Sequence, residues 1–133
     1  MWHYEGEEYT QALGMYQGFV YRITELDTGK MYVGKKYFWK PKTLPVTKTR
    51  KRRVKTLVES DWQKYYGSSA EVKSLVEQKG AASFKREILR LCETKGDCSY
   101  YEAKLQFKLD VLLNPMYYNE FIGCKIHSKH LRK

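Results

Sequence analysis

Three groups of residues carry side chains able to act on an anion. Tyr21, Tyr32, Gly34 and Lys36 lie in two extended stretches, 18–24 and 31–36, that flank the turn residues Asp27-Thr28-Gly29-Lys30. A turn centred on Thr28 and Gly29 sets Tyr21 opposite Lys36, Ile23 opposite Gly34 and Glu25 opposite Tyr32. Strand side chains alternate with period two, so Tyr21, Tyr32, Gly34 and Lys36 share a face. Two phenols and an ammonium around a glycine suit a phosphate, with Gly34 admitting a close approach to the backbone. They equally suit ordinary cross-strand aromatic packing. Glu102, in Ser99-Tyr100-Tyr101-Glu102, stands at the spacing of a helix capping box. Cys92, Cys98, Cys124, His127 and His130 supply soft metal ligands, but five residues separate Cys92 from Cys98, against the two to four usual for structural zinc. Cys124 and His127 fall on opposite faces of an extended stretch, so ordinary cysteines are expected rather than a zinc site.

The third group is a charge run. Lys35, Lys36, Lys40, Lys42, Lys48, Arg50, Lys51, Arg52, Arg53 and Lys55 fall within twenty-one residues that hold no acidic side chain. Without these ten, the chain of 133 residues holds fifteen basic and fifteen acidic residues, so the net charge of +10 resides in this segment. Such concentration points to a polyanionic partner, because neutralising phosphates releases condensed counterions. A solvated basic loop is the plainer alternative. With 42% hydrophobic and 30% charged residues, wholesale disorder is excluded. No apolar stretch approaches the roughly 18 residues of a membrane span. Glu5, Glu7 and Glu8 in the first ten residues argue against a signal peptide, so a cytoplasmic setting with reduced thiols is expected.

These groups need a scaffold. Residues 1–17 are expected to form a loosely held arm, followed by a single domain over 18–133 with a basic insertion at about 40–56. The hairpin comes first, and the Pro41- and Pro45-bearing insertion reads as irregular. A short helix is expected from Ser60 or Asp61 to Tyr66, stopped by Gly67. Ser68 or Ser69 caps a second helix with Val72, Leu75 and Val76 inward and Gly80 beyond its end. Residues 84–92 read as a third strand. Ser99 opens the longest helix, to about Leu113, with Ala103, Phe107 and Val111 in its apolar stripe, and Asn114-Pro115 ends it. Residues 121–126 suit a further edge strand. The fold class is α/β (α+β): a small, three-stranded, mainly antiparallel sheet flanked by about three helices.

Phe19-Val20-Tyr21 and, eleven residues on, Tyr32-Val33-Gly34 resemble the two signature tripeptides of the GIY-YIG nuclease family, with Phe19 where glycine is usual. Tyr32-Val33-Gly34-Lys35-Lys36, Glu59-Ser60-Asp61-Trp62, Tyr65-Tyr66-Gly67-Ser68-Ser69 and Tyr100-Tyr101-Glu102-Ala103-Lys104 are similar to a bacteriophage subgroup, the Seg-like homing endonucleases. The resemblance implies a DNA endonuclease that hydrolyses phosphodiesters with Mg²⁺ (or Mn²⁺). It implies Glu102 as the single metal ligand and Tyr21 as general base, with Tyr32 orienting water. Lys36 would help ionise Tyr21 across the hairpin, since a free phenol titrates near 10. The family's transition-state arginine has no direct match. Lys64 is a candidate for that role, with Arg53 or Arg50 as alternatives and a lysine lacking the bidentate fork. Asn119 resembles an asparagine that follows the last helix and organises a loop. Gly34 and the basic residues of the run other than Lys36 would meet DNA, double-stranded or branched, in the host cytoplasm if the chain is phage-encoded. No membrane partner is expected, and the oligomeric state stays open. A non-catalytic nucleic-acid-binding module or phage accessory protein that keeps the fold is the alternative.

Overall fold

The computed structural model describes residues 1–44, 46–47, 54–123 and 128. Among them the chain forms seven strands and two α-helices: β1 (Trp2–Tyr4), β2 (Glu7–Tyr9), β3 (Gly18–Glu25), β4 (Met31–Tyr37), β5 (Trp39–Leu44), β6 (Val54–Glu59), α1 (Ala70–Lys79), β7 (Phe84–Cys92) and α2 (Lys95–Lys108). The main sheet has the order β2-β1-β7-β3-β4, and β5 and β6 form a separate two-stranded ribbon. The mixed α+β class stands, but with five strands where three were expected and two α-helices where three were expected.

β3 lies between β7 and β4, pairing antiparallel with both, and is buried on both faces, so its apolar run needs no strict alternation. One face of the sheet carries Trp2, Phe19, Tyr21, Ile23 and Ile88, packed against Phe38, Trp62 and Val72 of α1. The other carries Val20, Val33 and Cys92, covered by Cys98 of α2 and by Val111. Ser69 Oγ accepts from the Val72 N–H at the start of α1, and Gly80 at its end has φ +88°, a conformation that disfavours any side chain.

The hairpin register differs from expectation by two residues. A four-residue loop, closed by the Glu25 N–H donating to the Lys30 carbonyl at 2.8 Å, replaces the two-residue turn. Tyr21 therefore pairs with Gly34, Ile23 with Tyr32 and Phe19 with Lys36. A shift of two preserves parity, so Tyr21, Tyr32, Gly34 and Lys36 keep their common face.

The first nine residues are strands rather than a loose arm. β1 adds parallel to β7 and β2 antiparallel to β1. Trp2 is 1% exposed, and its indole N–H donates to the Trp62 carbonyl at 2.7 Å. The exposed Glu7 and Glu8 of β2 place charge on that outer edge. The short helix expected after Ser60 shrinks to one 3-10 turn, Trp62–Lys64. The basic insertion is a ribbon where it is described, with Lys40 and Lys42 exposed on the same side of β5. Lys48, Arg50, Lys51, Arg52 and Arg53, the side chain of Lys55, and Cys124, His127 and His130 lie outside the described residues. Residues 121–123 form no strand, and 124–126 lie outside the description.

Trp2→Ala removes a buried ring and its hydrogen bond, and should cost about 3–5 kcal/mol in urea unfolding. A loss below roughly 1 kcal/mol would mean that the N-terminal strands are not part of the folding unit.

Candidate active site

α2 starts four residues earlier than its spacing suggests. Thr94 is its N-cap, with Oγ1 accepting from the Asp97 N–H at 3.0 Å. Ser99 is therefore interior to the helix, where its Oγ accepts from Lys35 Nζ at 3.1 Å. The capping-box reading of Glu102 is thereby overturned, and the carboxylate is left for other use. It sits in the second turn of α2 with a 14% exposed side chain and Lys35 Nζ 3.7 Å away. Burial raises its pKa against the opposing pull of Lys35.

β4 is the outermost strand on its side of the sheet, and its free edge is closed by side chains. The Val33 N–H donates to Asn119 Oδ1 at 3.0 Å. The Val33 carbonyl accepts from Asn119 Nδ2 at 2.8 Å and from Gln106 Nε2 at 3.0 Å. Gln106 lies one turn beyond Glu102, so the same helix face that presents the carboxylate grips the peptide between Tyr32 and Gly34. Gln106 is a buried polar residue that the apolar stripe did not mark, and Phe107, expected inside, is exposed. Asn119 thus organises strand β4 rather than only its own loop. Its segment is tied down by the Met31 N–H donating to the Met116 carbonyl and the Tyr118 N–H to the Met31 carbonyl, at 2.7 and 2.8 Å. The Tyr118 hydroxyl donates to Glu25 at 2.9 Å.

A cleft of about 370 Å³ opens along this edge, lined by Tyr32, Ser68, Glu71, Glu102, Asn119 and Glu120 among others. The Tyr32 hydroxyl reaches the Ser68 hydroxyl at 2.9 Å. Burial raises the Tyr32 pKa, partly offset by Ser68. Tyr21 lies one layer deeper and is fully buried. Its ring crosses Gly34, where a Cβ would stand 2.5 Å from Tyr21 Oη and 3.1 Å from the Tyr32 ring. This is a strict steric reason for glycine. Gly67, at φ +91°, approaches the same hydroxyl from the loop above. Tyr65 packs edge-on to Tyr21, with ring centres 5.9 Å apart. The Tyr21 hydroxyl has no well-formed hydrogen bond among the described residues. Its pKa is driven well above 10 by burial first, then by Tyr65, Tyr32 and Glu102.

Lys36 does not assist Tyr21. Its Nζ pairs with Asp61 at 2.7 Å and stands 4.1 Å from the centre of the Tyr65 ring. Lys64 is exposed in the 3-10 turn and does not line the cleft. Lys35, expected only as a DNA contact, is instead the ammonium that meets Glu102. Arg86 of β7, which the sequence reading did not single out, is buried between Trp2 and Tyr66. It donates to the Gln63 and Tyr65 carbonyls at 2.9 and 2.8 Å, pinning the loop that carries Tyr65. Cys92 and Cys98 are buried free thiols in contact beneath α2. Among the described residues no group of three or more His, Cys, Asp or Glu forms a metal site.

Two hairpin phenols thus lie on one sheet face, and α2 brings Glu102 into the cleft that Tyr32 lines. The family model described as "Putative endonuclease segE, GIY-YIG domain" matches residues 2–122, and the chain belongs to that family. No curated protein and no solved structure matches the chain. The matched span includes the two N-terminal strands, and no helix among the described residues is long and apolar enough to cross a membrane.

Tyr21→Phe deletes a buried hydroxyl that lacks a good partner, so the midpoint of urea unfolding should stay within about 1 kcal/mol of wild type or rise. A larger loss would show a hydrogen bond that the geometry does not contain. Glu25, 1% exposed, gives a pH prediction. Burial pushes its pKa up, but Lys79, Thr28 and Tyr118 outweigh burial and hold it below the usual carboxylate value. Its contribution to stability is therefore complete above the unfolded pKa of about 4.3, and fades as pH falls through the lower folded value. Glu25→Gln should flatten that acid limb in thermal scans between pH 5 and 2.5, and an unchanged slope would contradict the assignment.

Proposed function

We propose that the chain is a metal-dependent DNA endonuclease of homing type, phage-encoded, that hydrolyses phosphodiesters with one Mg²⁺ or Mn²⁺ ion. The observation that carries this reading is the mostly buried carboxylate of Glu102, held in a cleft shared with Tyr32 and standing 3.7 Å from the Lys35 ammonium. The donors fit a hard divalent ion that takes one protein carboxylate and fills its other positions with water and phosphate oxygen. Glu102 would hold it, and Glu71 and Glu120 add exposed oxygens to the same cleft. A cation bound there supplies positive charge to the scissile phosphate and the leaving oxygen.

The chain's own groups supply the rest. Tyr32 faces the cleft and, with Ser68, offers a pair of hydroxyls to fix the attacking water and carry its proton. Tyr21 is a neutral phenol in the free protein and its ring backs that of Tyr32 at 6.3 Å between centres, so it supports Tyr32 rather than acting as the base that meets water. Lys35 stands where a fixed cation can meet charge developing on phosphate, the role first sought at Lys64. Lys40 and Lys42 on the ribbon meet the DNA backbone outside the cleft and supply affinity more than sequence choice.

Supercoiled plasmid incubated with Mg²⁺ should be nicked or linearised by wild type and left intact in EDTA. Glu102→Gln should slow cutting by roughly a hundredfold or more, and Tyr32→Phe by a comparable factor. Equal cutting by all three proteins would refute the site. Tight binding with no cutting under any metal would favour the non-catalytic module.

A further inference from the structure

A second concavity, of about 250 Å³, lies where β4, the foot of the ribbon and the start of α2 meet. We propose that this groove seats the backbone of the DNA strand next to the scissile phosphate, with Lys95 and Lys40 as its phosphate contacts. The proposal rests on the nuclease reading for its direction, since the strand is taken to run from Glu102 outward.

Charge carries the assignment. Lys35, Lys36, Lys40 and Lys95 line the groove against one carboxylate, Asp61. Asp61 holds Lys36 at 2.7 Å and Glu102 stands 3.7 Å from Lys35, while Lys40 and Lys95 are exposed to solvent at the groove. Lys35 and Lys95 converge on one ring: their ammonium nitrogens lie 6.0 and 5.2 Å from the centre of Tyr37. Like charges gathered near one ring repel each other, and a bound phosphate lowers that cost. Tyr37 and Trp39 supply flat apolar walls, and the Trp39 indole is fixed by donating to the Tyr16 carbonyl at 3.1 Å.

Position carries the rest. Lys35 lines the groove and stands 3.7 Å from Glu102, whose carboxylate lines the cleft, so the two concavities adjoin through this ion pair and one strand can run from one to the other. Beyond Lys40 the same side of β5 presents Lys42, both exposed. The lysines thus form a track from the carboxylate to the ribbon, and Lys95 lies outside the basic run that composition had singled out.

The test is fluorescence anisotropy of a labelled 20-bp duplex in EDTA at several salt concentrations, with wild type, Lys95→Ala, Lys40→Ala and Lys95→Glu. The control is Lys85→Ala, an exposed lysine on β7 that lines a different cleft with His3. Each alanine variant should bind several-fold more weakly and lose about one unit from the slope of log K against log salt, with Lys95→Glu weaker still. Lys85→Ala should match wild type. Wild-type affinity and slope in Lys95→Ala, or an equal loss in Lys85→Ala, would overturn the groove. If wild type binds and never cuts plasmid, while the Lys95 effect persists, the nuclease reading fails and the groove stands. If wild type cuts while Lys95→Ala binds as wild type does, the groove alone fails. Absence of duplex binding by every protein overturns both.

Discussion

The site depends on the main chain of one residue. Val33 lies on the outermost strand beside the cleft, where its N–H and carbonyl have no strand partner, and a half-buried edge of that kind is costly unless something else satisfies it. Asn119 takes both groups and Gln106 takes the carbonyl a second time. Each clamp comes from a different element, one from α2 and one from the segment after it. Satisfying the main chain of one edge residue therefore fixes three pieces of chain against each other, and these pieces carry Tyr32, Glu102 and the cleft's floor. Glu25 extends the arrangement by holding Tyr118, the neighbour of Asn119, with Lys79 closing the ion pair at 2.8 Å.

Around this clamp the protein keeps groups in states that folding alone would not favour. The Tyr21 hydroxyl is sealed beneath Gly34 and Gly67 without a well-formed bond, and Glu102 is desolvated with one ammonium 3.7 Å away. A buried hydroxyl without a good partner and a desolvated carboxylate both cost stability, and such groups concentrate at functional sites. The aromatic cluster of Trp2, Phe19, Phe38 and Trp62 sits directly behind, and its edge-to-face contacts offset that cost.

How much of this the sequence disclosed can be traced residue by residue. β3, β4, β7 and α1 were legible because each carries a long pattern or a plain cap, and β7 matches its expected bounds. The common face of the two tyrosines survived a register error because the error was even. The loop of four rather than two residues could not be read, since Asp27-Thr28-Gly29 suits several turns. The N-terminal strands, three residues each, are too short for periodicity, and only the packing of Trp2 reveals them. α2 was started late because Ser99-x-x-Glu102 imitates a capping box, while the observed cap is Thr94, whose hydroxyl accepts from the Asp97 N–H. Gln106 and Arg86 were missed because a polar residue buried for its hydrogen bonds leaves no periodic trace. The family resemblance drew attention to Glu102 and Asn119, but the grip of Asn119 on Val33 and the approach of Lys35 to Glu102 show only in the packing.

The central claim, that a clamped edge peptide positions the chemistry, is tested most directly by hydrogen exchange at the Val33 amide in wild-type and Asn119→Ala protein, read beside plasmid cutting. The account requires slow exchange at Val33 in wild type, comparable to amides of the central strand β3. It also requires fast exchange in the variant, with loss of cutting while the β3 amides stay protected. Rapid exchange at Val33 in an active wild type, or undiminished cutting after the clamp is opened, would contradict it.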